Sequence, residues 1–217
     1  TDADVAGPIP ATVTEAELTY VRTLTGTAEE EKMYTVCLPY EPPTAVGLTY
    51  YALKSSNETT LSFEAVESPV ANVPYLVVAS EDGSVGTSSA VTVNFNGATS
   101  SVTDENDGYE MHGTLRGMTN EEAAAEGAYI LQSGGTWGKV TTAKTEAYIP
   151  PFCAYIVKKD GGTGGARLRS VIGEATGISA LEKESGCAQW YTLDGRKLTG
   201  EPSQQGVYVK EGKKVIK

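Results

Sequence analysis

The feature that most constrains this chain is its punctuated alternation. Short runs rich in threonine, valine and tyrosine recur along it, separated by glycine, proline and Asp-Gly pairs. Thr60-Leu61-Ser62-Phe63-Glu64-Ala65-Val66 places Leu61, Phe63 and Ala65 on one side, and Ala90-Val91-Thr92-Val93-Asn94-Phe95 does the same with Val91, Val93 and Phe95. Side chains on a strand point to alternate faces, so this pattern describes strands with one buried face. Strands are expected at 15–25, 33–39, 48–54, 60–66, 74–79, 90–95, 109–113, 127–132, 137–141, 146–149, 153–158 and 167–172. Their regular spacing with turn residues between them predicts an all-β, sandwich-like domain of antiparallel strands.

Helix is scarce. Thr119 followed by Glu122 forms a capping-box pattern ahead of Ala123-Ala124-Ala125, predicting one short helix that ends at Gly127. The glycine-rich stretch at 160–165 reads as a hairpin loop, since it lacks the residues of a phosphate-binding loop. Residues 1–11 read as a flexible lead-in, 12–173 as the sandwich-like domain and 174–217 as a small C-terminal β module. In that module Trp190-Tyr191-Thr192-Leu193 forms a strand, Asp194-Gly195 a turn, and Gly206-Val207-Tyr208-Val209 a further strand before a turn at Glu211-Gly212.

The order Trp190-Tyr191-Thr192-Leu193-Asp194-Gly195-Arg196-Lys197-Leu198, then Gly206-Val207-Tyr208-Val209, then Gly212-Lys213-Lys214-Val215-Ile216-Lys217 resembles the C-terminal tails of secreted and surface proteins of Bacteroidetes-type bacteria. Upstream pieces resemble the β domain that precedes such tails. Among them are Val36-Cys37-Leu38-Pro39-Tyr40, Asn72-Val73-Pro74-Tyr75, and Ile149-Pro150-Pro151-Phe152-Cys153-Ala154-Tyr155. The resemblance implies the end of a large exported protein, including adhesin-like proteins with leucine-rich repeats, on the outer cell surface or outside the cell. It carries over no catalytic residues and no cofactor. Similar tails in some relatives are export-sorting signals.

Composition narrows the partners. With 17 Lys+Arg against 28 Asp+Glu, the net charge of −11 opposes nucleic acid and anionic lipid. No apolar run is long enough for a membrane-spanning helix. The chain opens on Thr1-Asp2-Ala3-Asp4 and reads as a processed or excised piece. Cys37, Cys153 and Cys187 do not form a zinc spacing. Cys37 and Cys153 read as small buried apolar residues, with a Cys37–Cys153 bridge as the alternative.

Few residues suggest chemistry. His112, the one histidine, has no nucleophile elbow to serve and reads as structural or surface. The carboxylates Glu64 with Glu67 and Glu121 with Glu122 lack any context for glycoside hydrolysis. Asp104-Glu105-Asn106-Asp107-Gly108 has the oxygen-rich look of a calcium turn, but its glycine is misplaced for an EF-hand, and an acidic hairpin turn is the simpler reading. Trp137, Tyr50, Tyr51 and Tyr109 are the candidates for stacking on sugar rings, against strand packing as the plain alternative. The expectation is a non-enzymatic structural or adhesive region that meets glycans or a host-matrix protein. A carbohydrate-binding module and an export-sorting tail with its carrier domain are the alternatives.

Overall fold

The structure is a computed structural model. It describes residues 7–87, 89–159 and 165–173, and the backbone of four strands between 190 and 216. The chain divides into two compact units, Thr1–Gly177 and Ile178–Lys217.

The first unit contains β1 (Glu15–Leu18), β2 (Val21–Leu24), β3 (Lys32–Val36), β4 (Leu48–Ser56), β5 (Thr60–Val66), β6 (Tyr75–Ala79), β7 (Gly83–Gly86), β8 (Val91–Asn94), β9 (Ser101–Thr103), β10 (Tyr109–Thr114), α1 (Asn120–Ala125), β11 (Tyr129–Gln132), β12 (Thr136–Lys139), β13 (Cys153–Lys158) and β14 (Arg167–Gly173). Ten of the strands make one curled sheet in the order β3-β6-β4-β5-β14-β12-β11-β13-β10-β9. The pairs β1–β8 and β2–β7 form two small antiparallel ribbons. The second unit holds β15 (Trp190–Thr192), β16 (Lys197–Leu198), β17 (Val207–Lys210) and β18 (Lys213–Ile216), in the antiparallel order β16-β15-β17-β18. The expected turn at Asp194-Gly195 and the glycines at 161–164 lie outside the described residues.

The chain is all-β. One pair departs from the antiparallel expectation: β14 runs parallel to β5, Ser170 opposite Leu61 and Ile172 opposite Phe63. A parallel pair needs a long crossover, and here most of the domain intervenes. The expected strand at 15–25 is broken at Thr19-Tyr20, because β1 and β2 pair with different partners. Residues 146–149 contribute only an isolated bridge, Met118 to Ile149. The sequence pattern also misses β7 and β9, which are short and rich in glycine or serine.

Alternation explains the core. Leu61 and Phe63 are fully buried, and Val93 and Phe95 nearly so, whereas Ala65 lies exposed outside the core. In the described part of the lead-in, Ile9 packs on the core and its N–H donates to Arg116 O at 2.7 Å, and Asn96 Nδ2 donates to Ala11 O at 3.3 Å.

The capping box forms as its sequence predicts. Thr119 Oγ1 accepts from Glu122 N–H at 3.3 Å, Glu122 Oε2 accepts from Thr119 N–H at 2.8 Å, and Arg116 adds a 2.6 Å ion pair. Gly127 follows with φ 67°, a conformation only glycine adopts at little cost. The Arg116 hydrogen bond first, then the Thr119 N–H, hold the Glu122 carboxyl below the usual carboxylate range. Its stabilisation is therefore present above the unfolded carboxylate's pKa and lost as pH falls through the folded value. Thr119→Ala is expected to cost about 1 kcal/mol in urea unfolding. The gap in melting temperature between Glu122→Gln and wild type is expected to shrink on acidification; a constant gap would contradict this linkage.

Candidate functional site

The sheet nearly closes on itself. Ser80 N–H bonds to Gly47 O, so the even residues of β6 bond toward β4 and the odd ones toward β3. Tyr75, Val77 and Ala79 lie opposite Val36, Tyr34 and Lys32. The backbone groups of an antiparallel strand alternate in direction, so Met33 and Thr35 direct theirs away from β6. Cys37 continues this outward set, and its N–H donates to Phe152 O at 2.9 Å. Ala154 N–H donates to Thr35 Oγ1 at 3.2 Å. Residues 37 with 152 and 35 with 154 thus form an antiparallel seam between β3 and β13. The next step would bring Met33 to Ile156, but Ile156 already lies opposite Tyr129 of β11. The seam therefore opens at Met33.

A cleft of about 630 Å³ lies where it opens, within the size range of small-ligand sites. One wall is residues 30–35. Facing it are residues 130–135 of the β11–β12 hairpin, together with Tyr148, Ile149 and Pro150. Gly134 and Gly135 turn the hairpin with φ 77° and 73°. A Cβ on Gly135 would lie 2.7 Å from Met33 Sδ, so the hairpin and β3 meet here and a larger residue would make the methionine side chain shift. Arg22, reaching in from β2, lies at the seam. Its Nη1 donates to Thr35 O at 3.1 Å and approaches Cys153 Sγ at 3.5 Å, and the guanidinium sits 5.6 Å from the Tyr34 ring centre. Glu29, Glu30, Glu31 and Lys32 are exposed, and Tyr148 is 38% exposed.

The aromatic candidates from the sequence fall mostly elsewhere. Trp137 is fully buried, stacked against Phe63 at 6.2 Å, with its indole N–H donating to Ser170 Oγ at 2.7 Å. Tyr50 is buried edge-on to Tyr75, donates to Pro43 O at 2.9 Å, and has its phenol pushed up to about 12 by burial. Tyr109 is buried edge-on to Tyr129, and burial raises its phenol too. A ring sealed on both sides cannot stack on a sugar, so these three are corrected to core residues. Tyr51 is half-buried against the rim of the same cluster as Trp137. The structure does not gather the four into one surface.

The remaining candidates have local roles. His112 stacks on its cross-strand neighbour Tyr155 at 5.6 Å and meets Glu110 Oε2 at 3.0 Å. Glu64 pairs with Lys54 at 2.8 Å. Cys37 and Cys153 are buried free thiols, and burial pushes the Cys37 thiol up to about 12. No bridge joins them: Cys37 lies over Gly113, and Cys153, near enough to add to the upward shift of Cys37, also approaches Arg22. Asp104 is buried and accepts from its own turn and from Ser56. Among the described residues no group of three or more His, Cys, Asp or Glu is arranged to hold a metal ion, and no helix is long and apolar enough to cross a membrane.

The cleft was not read from the sequence. Its signals are the charged run Glu29-Glu30-Glu31-Lys32 directly before a strand and the Gly134-Gly135 pair. Neither shows that the two segments meet. Compared with known proteins, the chain matches no family model, no curated protein and no solved structure.

Proposed function

We propose that this chain is a non-catalytic region of an exported bacterial surface protein, acting in adhesion, with the cleft beside β3 as its contact surface. The observation that carries the reading is the opening of the β3–β13 seam, which leaves a walled groove bordered by charged residues and one exposed tyrosine. Placement at the cell surface rests on the residue order of 190–217, which resembles the tails of exported proteins. The exposed Tyr148, in a lining that also holds Gln132, favours a carbohydrate-binding module as the second reading.

The test is binding of the full chain to an array of glycans and purified extracellular-matrix proteins. Binding to at least one class is expected, and Tyr148→Ala is expected to weaken it by about tenfold, as loss of an interface aromatic does. Trp137→Phe is expected to leave affinity unchanged, because Trp137 is in the core. Absence of binding to every glycan and matrix protein would remove the adhesive reading.

A further inference from the structure

Away from the cleft, the two small ribbons share an unpaired edge. Phe95 N–H donates to Thr14 O at 3.0 Å, so the even residues of β1 bond toward β8. Thr87 N–H donates to Tyr20 O at 2.9 Å, which gives β2 the same parity against β7. Backbone groups of an antiparallel strand alternate in direction, so Glu15, Glu17, Val21 and Thr23 all direct theirs to the opposite side. Those N–H and C=O groups have no hydrogen-bond partner among the described residues. Apart from β8 and β7, no described strand runs alongside β1 or β2. The four side chains are exposed as well, Val21 by 64%. Water satisfies such an edge in the free protein, and an open edge is a template for another strand.

We infer that the outer edge of β1 and β2 accepts an extended, basic segment of a partner protein as an added strand. This goes beyond the cleft reading and does not depend on it. Charge sets the kind of segment. Glu15 and Glu17 stand on the edge strand itself, and Glu29, Glu30 and Glu31 are exposed in the turn that follows β2. The one cation among residues 14–31 is Arg22, an even residue that bonds to Thr35 O and lies by the Tyr34 ring. Carboxylates on an edge disfavour indiscriminate pairing, and they select a strand that sets lysine or arginine opposite them. They also disfavour a second copy of this chain, whose net charge is −11. Val21, between the two acidic groups, suits an apolar residue on the incoming strand.

The probe is a short acetylated, amidated peptide in which threonine alternates with lysine around one central valine. A second peptide carries glutamate in place of each lysine. Binding to the full chain is measured by fluorescence anisotropy. Residues directly opposite in an antiparallel pair share a face, so the lysines facing Glu15 and Glu17 belong to the set whose backbone bonds to the edge. N-methylation of the lysine and valine amides is therefore expected to lower affinity by about tenfold or more, and N-methylation of the threonine amides to leave it near the parent value. The lysine peptide is expected to bind more tightly than the glutamate peptide. Glu15→Lys with Glu17→Lys, both exposed, is expected to reverse that order, whereas Tyr148→Ala in the cleft is expected to change neither affinity. No peptide binding, equal effects of the two methylation patterns, or a preference that survives the charge reversal would overturn the inference. So would light scattering that shows a dimer of the wild type dispersed by Val21→Lys, since the edge would then belong to a second copy.

Discussion

Trp137→Ala is expected to lower the unfolding free energy by about 3–5 kcal/mol, the range for deleting a buried large aromatic. The ring is fully buried within one cluster that includes Leu53, Leu61, Phe63, Met111, Tyr129, Ile156 and Leu168. Those residues come from five strands on both halves of the curled sheet, β4, β5, β10, β13 and β14, and from Tyr129 on β11. A cavity at this place therefore loosens the contact between the halves, and β12 cannot move inward to fill it because Gly138 and Thr136 are paired to β11 and β14. The indole N–H bond to Ser170 Oγ adds a polar component that phenylalanine does not replace. Trp137→Phe is accordingly expected to cost about 1–2 kcal/mol, part of it from leaving the Ser170 hydroxyl without that partner. Urea unfolding followed by tyrosine fluorescence and far-ultraviolet circular dichroism checks both values. A loss below about 1 kcal/mol for the alanine variant would mean that the stack on Phe63 does not organise the core.

That result bears on what alternation can reveal. The period of two on residues 60–66 and 90–95 correctly identifies Leu61, Phe63, Val93 and Phe95 as core, because burial on a sheet is a local consequence of the pleat. The capping box at Thr119 is equally local, and it forms. Partner choice is not local. Nothing in residues 15–25 announces that the strand breaks at Tyr20 to join β8 on one side and β7 on the other. Nothing in 167–172 announces a parallel neighbour. Tyrosine and tryptophan are ambiguous in the same way: their rings suit a sugar-binding face and a core equally, and composition cannot distinguish Trp137 in the core from Tyr148 at the cleft. The cleft itself exists because Ile156 is matched to Tyr129 rather than to Met33. That competition for one partner among three strands is a property of the nearly closed sheet, invisible in any one segment.

Asp104→Ala is expected to be the other large effect, at about 3–5 kcal/mol, although a sequence-level reading makes this acidic turn look like a surface feature. Asp104 is 4% exposed. Its Oδ1 accepts from Gly108 N–H at 2.9 Å, its Oδ2 from Tyr109 N–H at 3.1 Å, and Ser56 Oγ donates to Oδ2 as well. Alanine leaves those donors without an acceptor, at about 1–3 kcal/mol for each that stays buried. The loss propagates, because the turn also fastens β9–β10 to β4: Glu105 N–H donates to Lys54 O at 2.7 Å, and Asn106 Nδ2 to Ser56 O at 2.7 Å. Asp104→Asn keeps one acceptor oxygen but turns an NH₂ toward donors, so it is expected to fall between alanine and wild type. Calcium separates this reading from a cation-binding turn. With both carboxylate oxygens already accepting hydrogen bonds inside the fold, the melting temperature of the wild type is expected to be the same in excess calcium and in chelator. A calcium-dependent rise that disappears in Asp104→Ala would instead make the carboxylate a ligand, since a cation bound only to the native state must stabilise it in proportion to its occupancy.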